Sequence, residues 1–169
     1  MPNLHQPGKN QSVLLDILHE LTRELDADAI LQKAVQSLAR LGYWPNIGIS
    51  VLTPDGRFWQ TRASAQYSPG QVSALYPLDS GVIGRAYRTG QLQHIPDIRL
   101  DPDFITGESI HPAGSELAVP IRFEGQALGV LNLESPLKDV FTQPDIEFAV
   151  SIADAIAIAL KNAQRFTAL

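Results

Sequence analysis

The sequence predicts a single α+β domain built on an antiparallel sheet. Two segments, residues 46–65 and 117–133, each carry two apolar runs that alternate with period two on either side of a short turn. This is the pattern of a β-hairpin. Helical periodicity occupies both ends of the chain and one short stretch between the hairpins. Because hairpins pair their strands antiparallel, the order favours α+β over a doubly wound parallel sheet.

Composition is typical of a globular chain. Its 169 residues suit one domain, and 44% of them are hydrophobic while 18% are charged. The net charge of −5 argues against a broad basic face, so we expect no nucleic-acid partner. No apolar run approaches the roughly 18 residues of a membrane span, and the first residues do not resemble a signal peptide. We therefore expect a cytoplasmic protein without a membrane partner.

The absence of cysteine excludes several kinds of site. The sequence contains none, so disulfides, cysteine-ligated zinc, iron–sulfur clusters and thiolate nucleophiles are not available. The four histidines show no spacing typical of zinc, and the chain has no G-x-S-x-G nucleophile motif. On these grounds the sequence predicts no metal site, no catalytic residues and no enzymatic activity.

The N-terminal region predicts a tail followed by a helix. Residues 1–12 are polar and contain two prolines and a glycine, which indicates a flexible tail, and Ser12 is a suitable N-cap. The helix then carries a narrow apolar stripe of Leu14, Leu18, Leu21 and Leu25. So narrow a stripe is typical of a coiled-coil seam and favours pairing between subunits. The alternative is a short amphipathic helix packed on its own domain.

The next segments predict a core-facing helix and the first hairpin. Asp26 and Asp28 are suitable caps for the helix, which continues with apolar residues at helical spacing to Gly42. The hairpin 46–65 turns at residues 53–56, where a Thr-Pro-Asp-Gly run is typical of a β-turn.

The middle of the chain predicts short elements and a long loop. Residues 82–89 form a short helix that Gly90 ends, and residues 92–95 form a short strand. The irregular stretch 96–115 is longer than most connections and is rich in proline, glycine and aspartate. Such loops are often binding segments. We therefore expect a ligand to contact the short helix and this loop.

The second hairpin and the final helix complete the fold. Pro120 cannot donate to a strand ladder, so it requires an unpaired edge or a bulge, and Gly129 permits a close backbone approach. Thr142 caps the last helix, which has Pro144 in its first turn and extends to about Phe166. Its apolar arc is about 160° wide, more than one contact surface needs. The terminal helices are therefore predicted to pack as the bundle of a parallel two-fold homodimer.

Several motifs together resemble the GAF domain family of sensory and regulatory domains. The most specific is residues 115–135, SELAVPIRFEGQALGVLNLES, which is similar to the paired strands of that family. Residues 80–86, SGVIGRA, resemble its glycine-flanked helix start, and the runs Pro-Asp-Ile at 96–98 and Asp-Pro-Asp-Phe at 101–104 resemble its loop. Phe141, Thr142 and Asp145 open the last helix as in that family.

The resemblance implies a fold and a domain organisation. The fold is a GAF fold, with about six antiparallel strands, helices on one side, a ligand pocket on the other, and terminal helices that pair between subunits. We expect a tail over 1–12, one GAF domain over 13–166, and a C-terminal end at 167–169. One interpretation of that end is a truncation point before an output domain.

The resemblance also implies a function, that of a sensory domain. Such a domain binds a small molecule, dimerises, or does both, and relays a signal to a linked or partner kinase, cyclase, phosphodiesterase or transcription activator. Two alternatives stay open, a ligand-free dimerisation module and a sensor holding haem or another tetrapyrrole non-covalently. The cofactor is not identified.

Departures from the family's chemistry narrow these expectations. Family members that reduce free methionine sulfoxide use cysteines, and bilin-binding members usually attach their chromophore through one. With no cysteine, the sequence is expected to exclude the reductase activity and covalent chromophore attachment, while non-covalent binding stays open. The residue set of the cyclic-nucleotide-binding members is also not recognisable here.

Ten residues are candidates for the ligand site. The apolar candidates were chosen for the pocket wall, the arginines for an anionic ligand, and the histidines for haem iron. For the arginines, the alternative is surface ion pairing with Asp97, Asp101 and Asp103; for the histidines, it is a surface or hydrogen-bonding role. The candidates are Tyr76, Ile83, Arg85, Tyr87, Arg88, His94, Arg99, Phe104, Ile105 and His111.

Overall fold

A computed structural model describes residues 7–41, 44–65, 74–105 and 114–168. Its helices are α1 (Pro7–Thr22), α2 (Ala27–Arg40), α3 (Gly81–Thr89) and α4 (Gln143–Thr167), with a 3₁₀ turn at Ile98–Leu100. Its strands are β1 (Asn46–Leu52), β2 (Phe58–Ala65), β3 (Tyr76–Pro77), β4 (Gln93–Ile95), β5 (Ser115–Phe123) and β6 (Gln126–Ser135). No helix within these ranges is long and apolar enough to cross a membrane.

The six strands form one antiparallel sheet in the order β3-β2-β1-β6-β5-β4. The predicted α+β class and both predicted hairpins are therefore confirmed. The two hairpins lie side by side because β1 pairs with β6, with Ile47 opposite Leu133 and Ile49 opposite Leu131. Sequence patterning did not predict β3, which has two residues and pairs only with the start of β2.

Alternating side chains give the sheet two different faces. The helix-covered face carries residues such as Ile47, Leu117 and Leu133, which are fully buried against α1, α2 and α4. The opposite face, which we call the α3 face, carries a smaller apolar cluster that includes Trp59, Ala118 and Val130. The division explains the strict alternation of β5 and β6, because each face needs its own core.

The N-terminal helix differs from the sequence prediction. It begins at Pro7 rather than after Ser12, so residues 7–12 do not belong to a tail. Proline suits the first turn of a helix because its missing N–H would have no helical partner there. Residues 1–6 lie outside the described residues.

The leucine stripe is only partly packed within its own chain. Leu21 is in the core and Leu14 packs against it, while Leu18 is half-buried and Leu25, beyond the end of α1, is 41% exposed. Leu21 is 1% exposed and Ile17 is 2% exposed, and both belong to the core on the helix-covered face. The apolar arc of α4 is covered by the sheet together with α1 and α2, as the burial of Ile152, Ile156 and Leu160 shows. The width of that arc therefore does not require a second subunit. Pairing of the terminal helices between subunits stays a prediction.

Capping and turn chemistry explain where the elements begin and end. The Asp26 side chain accepts a 2.8 Å hydrogen bond from the backbone N–H of Ala29 at the start of α2. Thr142 and Asp145 form a reciprocal capping box at the start of α4. Gly90 ends α3 with a φ of +64°. These ends confirm the predicted caps, while Gly42 lies outside the described residues.

The two unusual strand residues are accommodated as the sequence suggested. Strand β4 pairs only with residues 116–118, so no neighbouring strand lies along the outer side of β5 at Pro120. Gly129 lies where a Cβ atom would come within 2.8 Å of the Ser50 carbonyl oxygen. A side chain at position 129 would therefore push β1 and β6 apart.

Candidate functional site

Helix α3 is fixed to the sheet by a buried tyrosine. The Tyr87 hydroxyl donates a 2.7 Å hydrogen bond to the Ser50 carbonyl oxygen and lies 3.3 Å from the Ser50 hydroxyl. The ladder between β1 and β2 is irregular at Ile49 and Ser50, where this interaction is made. Burial raises the pKa of the Tyr87 phenol above its usual range, so the hydroxyl remains a donor at physiological pH. Tyr87 therefore anchors α3 over β1.

One end of the α3 face, where β1 and β5 begin and β6 ends, is polar. We call the residues Asn46, Glu116, Asn132 and Glu134 the polar floor. Three of them are almost fully buried, with exposures of 1% for Asn46, 5% for Glu116 and 2% for Asn132. Strand register places Glu134 directly between Asn46 and Glu116, while Asn132 lies one row further along between Gly48 and Ala118. The four side chains thus share one face of three adjacent strands.

Unpartnered amide atoms set the polar floor apart from an ordinary core. Asn132 donates to Glu134 at 3.3 Å, but its Oδ1 atom is buried and has no hydrogen-bond partner among the described residues. Both Oδ1 and Nδ2 of Asn46 are likewise buried without a hydrogen-bond partner among the described residues. Buried polar groups are normally hydrogen-bonded, and leaving one unpaired costs about 1–3 kcal/mol. The polar floor therefore offers one donor and two acceptors, beside two glutamates, to a small molecule.

A segment that we call the strap, residues 99–105, lies against α3. The Arg85 guanidinium donates to both carboxylate oxygens of Asp101, at 2.6 and 3.0 Å, and to Asp103 at 2.7 Å. Its Nε atom donates to the Gln93 side chain at 2.8 Å. The Ile105 side chain covers Gly81, whose φ is +74° and where a Cβ atom would approach Ile105 to 2.9 Å. The strap is thus attached to α3 at two points.

The Arg85 contacts persist across the neutral range. Burial opposes ionisation of Asp101, but the hydrogen bonds from Arg85 and from the Asp103 N–H outweigh it and hold the pKa of this carboxyl below its ordinary value. A carboxyl with a lowered pKa stabilises the folded state above its unfolded value of about 3.9, and that stabilisation is lost as the pH falls. A change of pH therefore weakens this ion pair only in the acidic range.

The structure brings five candidate residues together on the α3 face. Tyr76 stacks on Trp59 with ring centroids 4.3 Å apart, and Tyr87 is buried in the apolar cluster of that face. Ile83, Phe104 and Ile105 pack against the same cluster. Their grouping agrees with the expectation that the short helix and the following loop border one region.

The arginine candidates have partners within the chain. Arg85 pairs with Asp101 and Asp103, as described above, and Arg99 pairs with Asp97 at 2.9 Å. Arg88 donates to the backbone carbonyl of Leu78 at 2.8 Å. Ion pairing with nearby aspartates, the alternative recognised in the sequence, thus describes Arg85 and Arg99. Binding of an anion by these arginines stays a prediction.

The histidine candidates do not join this group. His94 lies opposite Leu117 on the helix-covered face, and its ring is edge-on to Phe141 with centroids 6.3 Å apart. Adjacent residues of a strand point to opposite faces, so the step from Ile95 to His94 moves the ring to the other side of the sheet. His111 lies outside the described residues.

Sequence reasoning missed the polar floor. Glu116, Asn132 and Glu134 were seen only as part of a family-like strand motif, and Asn46 only as a strand start. The sequence signal that could have revealed these residues is the alternation in β5 and β6. These are interior strands of the sheet, and polar residues recur at positions that face α3. Among the described residues, no group of three His, Asp or Glu side chains is placed to hold a metal ion.

Sequence comparisons relate this chain to a family and to two curated relatives. A family model described as GAF domain matches residues 24–161. Protein YtsP of Bacillus subtilis is 33% identical over 84 residues, which are 50% of this chain and 50% of that protein. Protein ZMO0507 of Zymomonas mobilis is 39% identical over 80 residues, covering 46% of this chain and 48% of that protein. The chain spans about half the length of the curated relatives it matches.

Solved structures share the fold at low sequence identity. The free methionine-R-sulfoxide reductase of Neisseria meningitidis has a TM-score of 0.83 at 21% identity, with 93% of this chain and 91% of that chain covered. The GAF domain of an Acinetobacter phosphoenolpyruvate-protein phosphotransferase has a TM-score of 0.81 at 17% identity, covering 95% and 98%. Residues 122 to 287 of a methyl-accepting chemotaxis protein have a TM-score of 0.76 at 20% identity, covering 90% and 99%.

One of these similarities corrects an expectation from the sequence. We expected no enzymatic activity, but free methionine-R-sulfoxide reductases have this fold, including one from Thermoplasma acidophilum with a TM-score of 0.69 at 24% identity, covering 79% of this chain and 92% of that chain. The expectation of no enzymatic activity, drawn from missing cysteines and motifs, is therefore wrong. The missing cysteines concern thiolate chemistry alone, and the missing motifs belong to other folds.

Proposed function

Since this chain belongs to the GAF domain family, we propose that it is a sensory or regulatory domain whose small-molecule ligand binds at the polar floor. The single observation that carries the proposal is the set of buried, unpartnered amide atoms of Asn46 and Asn132. A fold keeps such atoms at a cost in stability, and a ligand that pairs with them offsets that cost. The similarity to domains of a chemotaxis protein and a phosphotransferase supports the regulatory role.

The chemistry of the polar floor favours a ligand with an amino group. Two carboxyl side chains, Glu116 and Glu134, lie opposite each other on adjacent strands. A cationic ammonium stabilises the ionised form of a nearby carboxyl group and donates hydrogen bonds to its oxygens. The Asn46 amide N–H then suits a carbonyl, carboxylate or sulfoxide oxygen. We propose a small amine or a free amino acid as the ligand class.

A thermal-shift screen tests this function. The panel contains free amino acids, simple amines and free methionine-R-sulfoxide, the last because reductases of this fold act on it. A specific ligand at 100 times its Kd adds about 2.7 kcal/mol, which raises the Tm by roughly 5–10 °C for a domain of this size. Analysis of the compounds after incubation with a thiol reductant shows whether any is converted.

Matched glutamine variants locate the site. Glu116→Gln removes a polar-floor charge, whereas Glu124→Gln removes an exposed charge at the β5–β6 turn. The ligand-induced shift should be lost in Glu116→Gln and kept in Glu124→Gln. If no panel compound raises the Tm, or if both variants respond like the parent, ligand binding at the polar floor is refuted.

Asn46→Ala is expected to raise the free energy of unfolding by about 1 kcal/mol while removing the ligand response. The smaller side chain leaves space that costs about 0.6 kcal/mol, but it relieves an unpaired buried amide worth about 1–3 kcal/mol. Urea denaturation measures the change. A gain in stability together with a loss of binding is typical of residues kept for function.

Ser50→Ala is the control for that measurement. Ser50 is also polar, on β1 and 1% exposed, but its hydroxyl lies 3.3 Å from the Tyr87 hydroxyl. Removing a partnered hydroxyl should lower the free energy of unfolding by about 0.5–1 kcal/mol. If Asn46→Ala destabilises the chain as much as Ser50→Ala, the Asn46 amide is paired in solution and the proposal loses its main support.

Signal relay to an output domain is the second part of the proposal, and it uses a homodimer. Apolar side chains remain on the outer surfaces of the terminal helices, with exposures of 65% for Leu15, 37% for Val150 and 45% for Ile158. A groove of about 360 Å³ lined by Leu14, Pro144 and Phe148 opens beside them. These features favour pairing through α1 and α4 of two subunits.

Light scattering at micromolar concentration should report twice the chain mass. Ile158→Glu should restore the monomer mass with an unchanged circular dichroism spectrum, because this side chain is exposed within one subunit. Asp154→Asn, one turn earlier and exposed, is the control and should remain dimeric. A parent protein that stays at monomer mass at high concentration contradicts the dimer and the relay that depends on it.

A further inference from the structure

We propose that the Arg85 ion pairs with Asp101 and Asp103 act as a latch that holds the strap closed and controls access to the polar floor. The proposal concerns regulation of the same site and so rests on the proposed function for its physiological meaning. Its structural content, the opening of the strap, is tested below without any ligand.

Three of the four polar-floor side chains are almost closed to solvent, and Glu134 is half-buried. Asn46 and Asn132 are 1% and 2% exposed, and the neighbouring Ala118 is fully buried. A molecule of the size of an amino acid can reach these side chains only after a covering element has moved. The question is which covering element moves at the lowest cost in free energy.

Helix α3 is poorly suited to move. The Tyr87 hydroxyl is bonded to the Ser50 carbonyl oxygen in the sheet, and Val82, Ala86 and Tyr87 are buried in the apolar cluster of the α3 face. Gly84 lies so close to the Leu78 carbonyl oxygen that a Cβ atom would come within 2.5 Å of it. Displacing α3 would break a buried hydrogen bond and expose a packed apolar surface.

The strap is attached differently. Its base is fixed, because Ile98 is 3% exposed and its N–H donates to the Gly114 carbonyl oxygen. Beyond that base, every hydrogen bond between the strap and α3 in the described part of the chain comes from the Arg85 side chain. The Asp103 side chain is 36% exposed and the Arg85 side chain 21% exposed, so water and salt can compete for the pairs.

The latch also lies at the edge of the polar floor. Arg85 donates to Gln93, and Gln93 is paired with Ala118 in the same row of the sheet as Asn132. Release of Arg85 therefore frees the strap, while Gln93 keeps its strand pairing and its side-chain hydrogen bond to the Gln91 carbonyl oxygen. Phe104 and Ile105 of the strap pack against the apolar cluster that contains Ala118, the neighbour of Asn132. Opening of the strap is therefore the movement expected to uncover this part of the polar floor.

A cysteine reporter measures the opening directly, because the chain contains no cysteine of its own. In one protein Ala118→Cys places a thiol beside the polar floor, and in a second Ala153→Cys places one in the core on the helix-covered face, where Ala153 is 1% exposed. The rate of alkylation by iodoacetamide under native conditions reports how often each position is exposed.

Arg85→Gln should speed alkylation at position 118 by about tenfold, the scale of a charge-assisted hydrogen-bond pair discounted for its partial exposure. Alkylation at position 153 should change by less than about twofold. Arg99→Gln is the matched control, because Arg99 lies in the strap but its side-chain hydrogen bonds within the described ranges go to Asp97 rather than to α3. It should leave both rates unchanged. Sodium chloride at 1 M should speed alkylation at position 118 in the parent but not in Arg85→Gln.

Three outcomes would overturn the latch. The first is an unchanged rate at position 118 in Arg85→Gln, and the second is an equal acceleration at positions 118 and 153, which indicates global unfolding. The third is an equal effect of Arg99→Gln. If Arg85→Gln does not fold, Asp103→Asn removes the more exposed half of the latch and should still speed alkylation at position 118 about threefold. If the protein binds no compound of the ligand panel, the proposed function is refuted. The predicted alkylation rates do not depend on that result, because they are measured without ligand.

Discussion

Replacing Leu21 with glutamate is expected to unfold the chain. Leu21 is 1% exposed and packs with α4 in the core on the helix-covered face. An unpaired carboxylate there costs at least about 4 kcal/mol in addition to the lost apolar contacts. That is most of the stability of a typical domain, which is about 5–15 kcal/mol. Circular dichroism and urea denaturation should show a largely unfolded protein at 25 °C.

Leu15→Glu on the same helix is the matched control. Leu15 is 65% exposed, so the same chemical change should alter the free energy of unfolding by no more than about 0.5 kcal/mol. The sequence alone had favoured a seam between subunits, for which Leu21→Glu would give a folded monomer. A folded, monomeric Leu21→Glu protein would restore that seam and contradict the packing of α1 described here.

Gly114→Ala is expected to lower the free energy of unfolding by about 3 kcal/mol or more. A Cβ atom at this position would lie 1.8 Å from the Ser135 carbonyl oxygen, far inside van der Waals contact. That oxygen belongs to the backbone of β6, so relief requires the start of β5 and the end of β6 to separate. The Gly114 carbonyl oxygen also accepts the hydrogen bond from Ile98 that fixes the base of the strap.

Gly56→Ala separates steric overlap from backbone strain. Gly56 has a φ of +70° but nothing within 4 Å of an added Cβ atom, so its substitution should cost only about 1–2 kcal/mol. Urea denaturation of the two variants gives both costs. If Gly114→Ala is no more destabilising than Gly56→Ala, the close approach of β5 and β6 at this point relaxes at little cost.

The order and type of most elements could be predicted because local chemistry determines them. The Asp26 cap, the Thr142–Asp145 capping box and the αL glycine at position 90 each act within four residues, and all lie where the sequence indicates. Strand β3 could not be predicted, since two residues carry no periodicity and its pairing with β2 depends on tertiary contacts. The start of α1 was placed too late because Pro7 was interpreted as part of a tail rather than as a first-turn residue.

The site was only partly predictable for a different reason. Tyr76, Ile83 and Phe104 could be assigned to one region because their elements flank one loop. The polar floor depends on which strands are adjacent. The pairing of β1 with β6 brings Asn46 beside Glu134, which lies 88 residues later in the sequence. His94 was assigned to the wrong face of the sheet. Strand β4 has only three residues, so the face that each side chain occupies is determined by the pairing of β4 with β5 and not by a sequence pattern.

The margins of the sheet affect how safely the chain folds in a crowded solution. The outermost strands, β3 and β4, have two and three residues, and Pro120 lies on the side of β5 that β4 leaves uncovered. On the other side, Arg62 in β2 is held by Asp28 at 2.6 Å. Short strands, proline and charge at a margin discourage intermolecular strand pairing. We therefore expect this domain to resist amyloid-like aggregation even when its concentration is high, because its outermost strands are short and the longer strands beside them carry a proline and an ion-paired arginine.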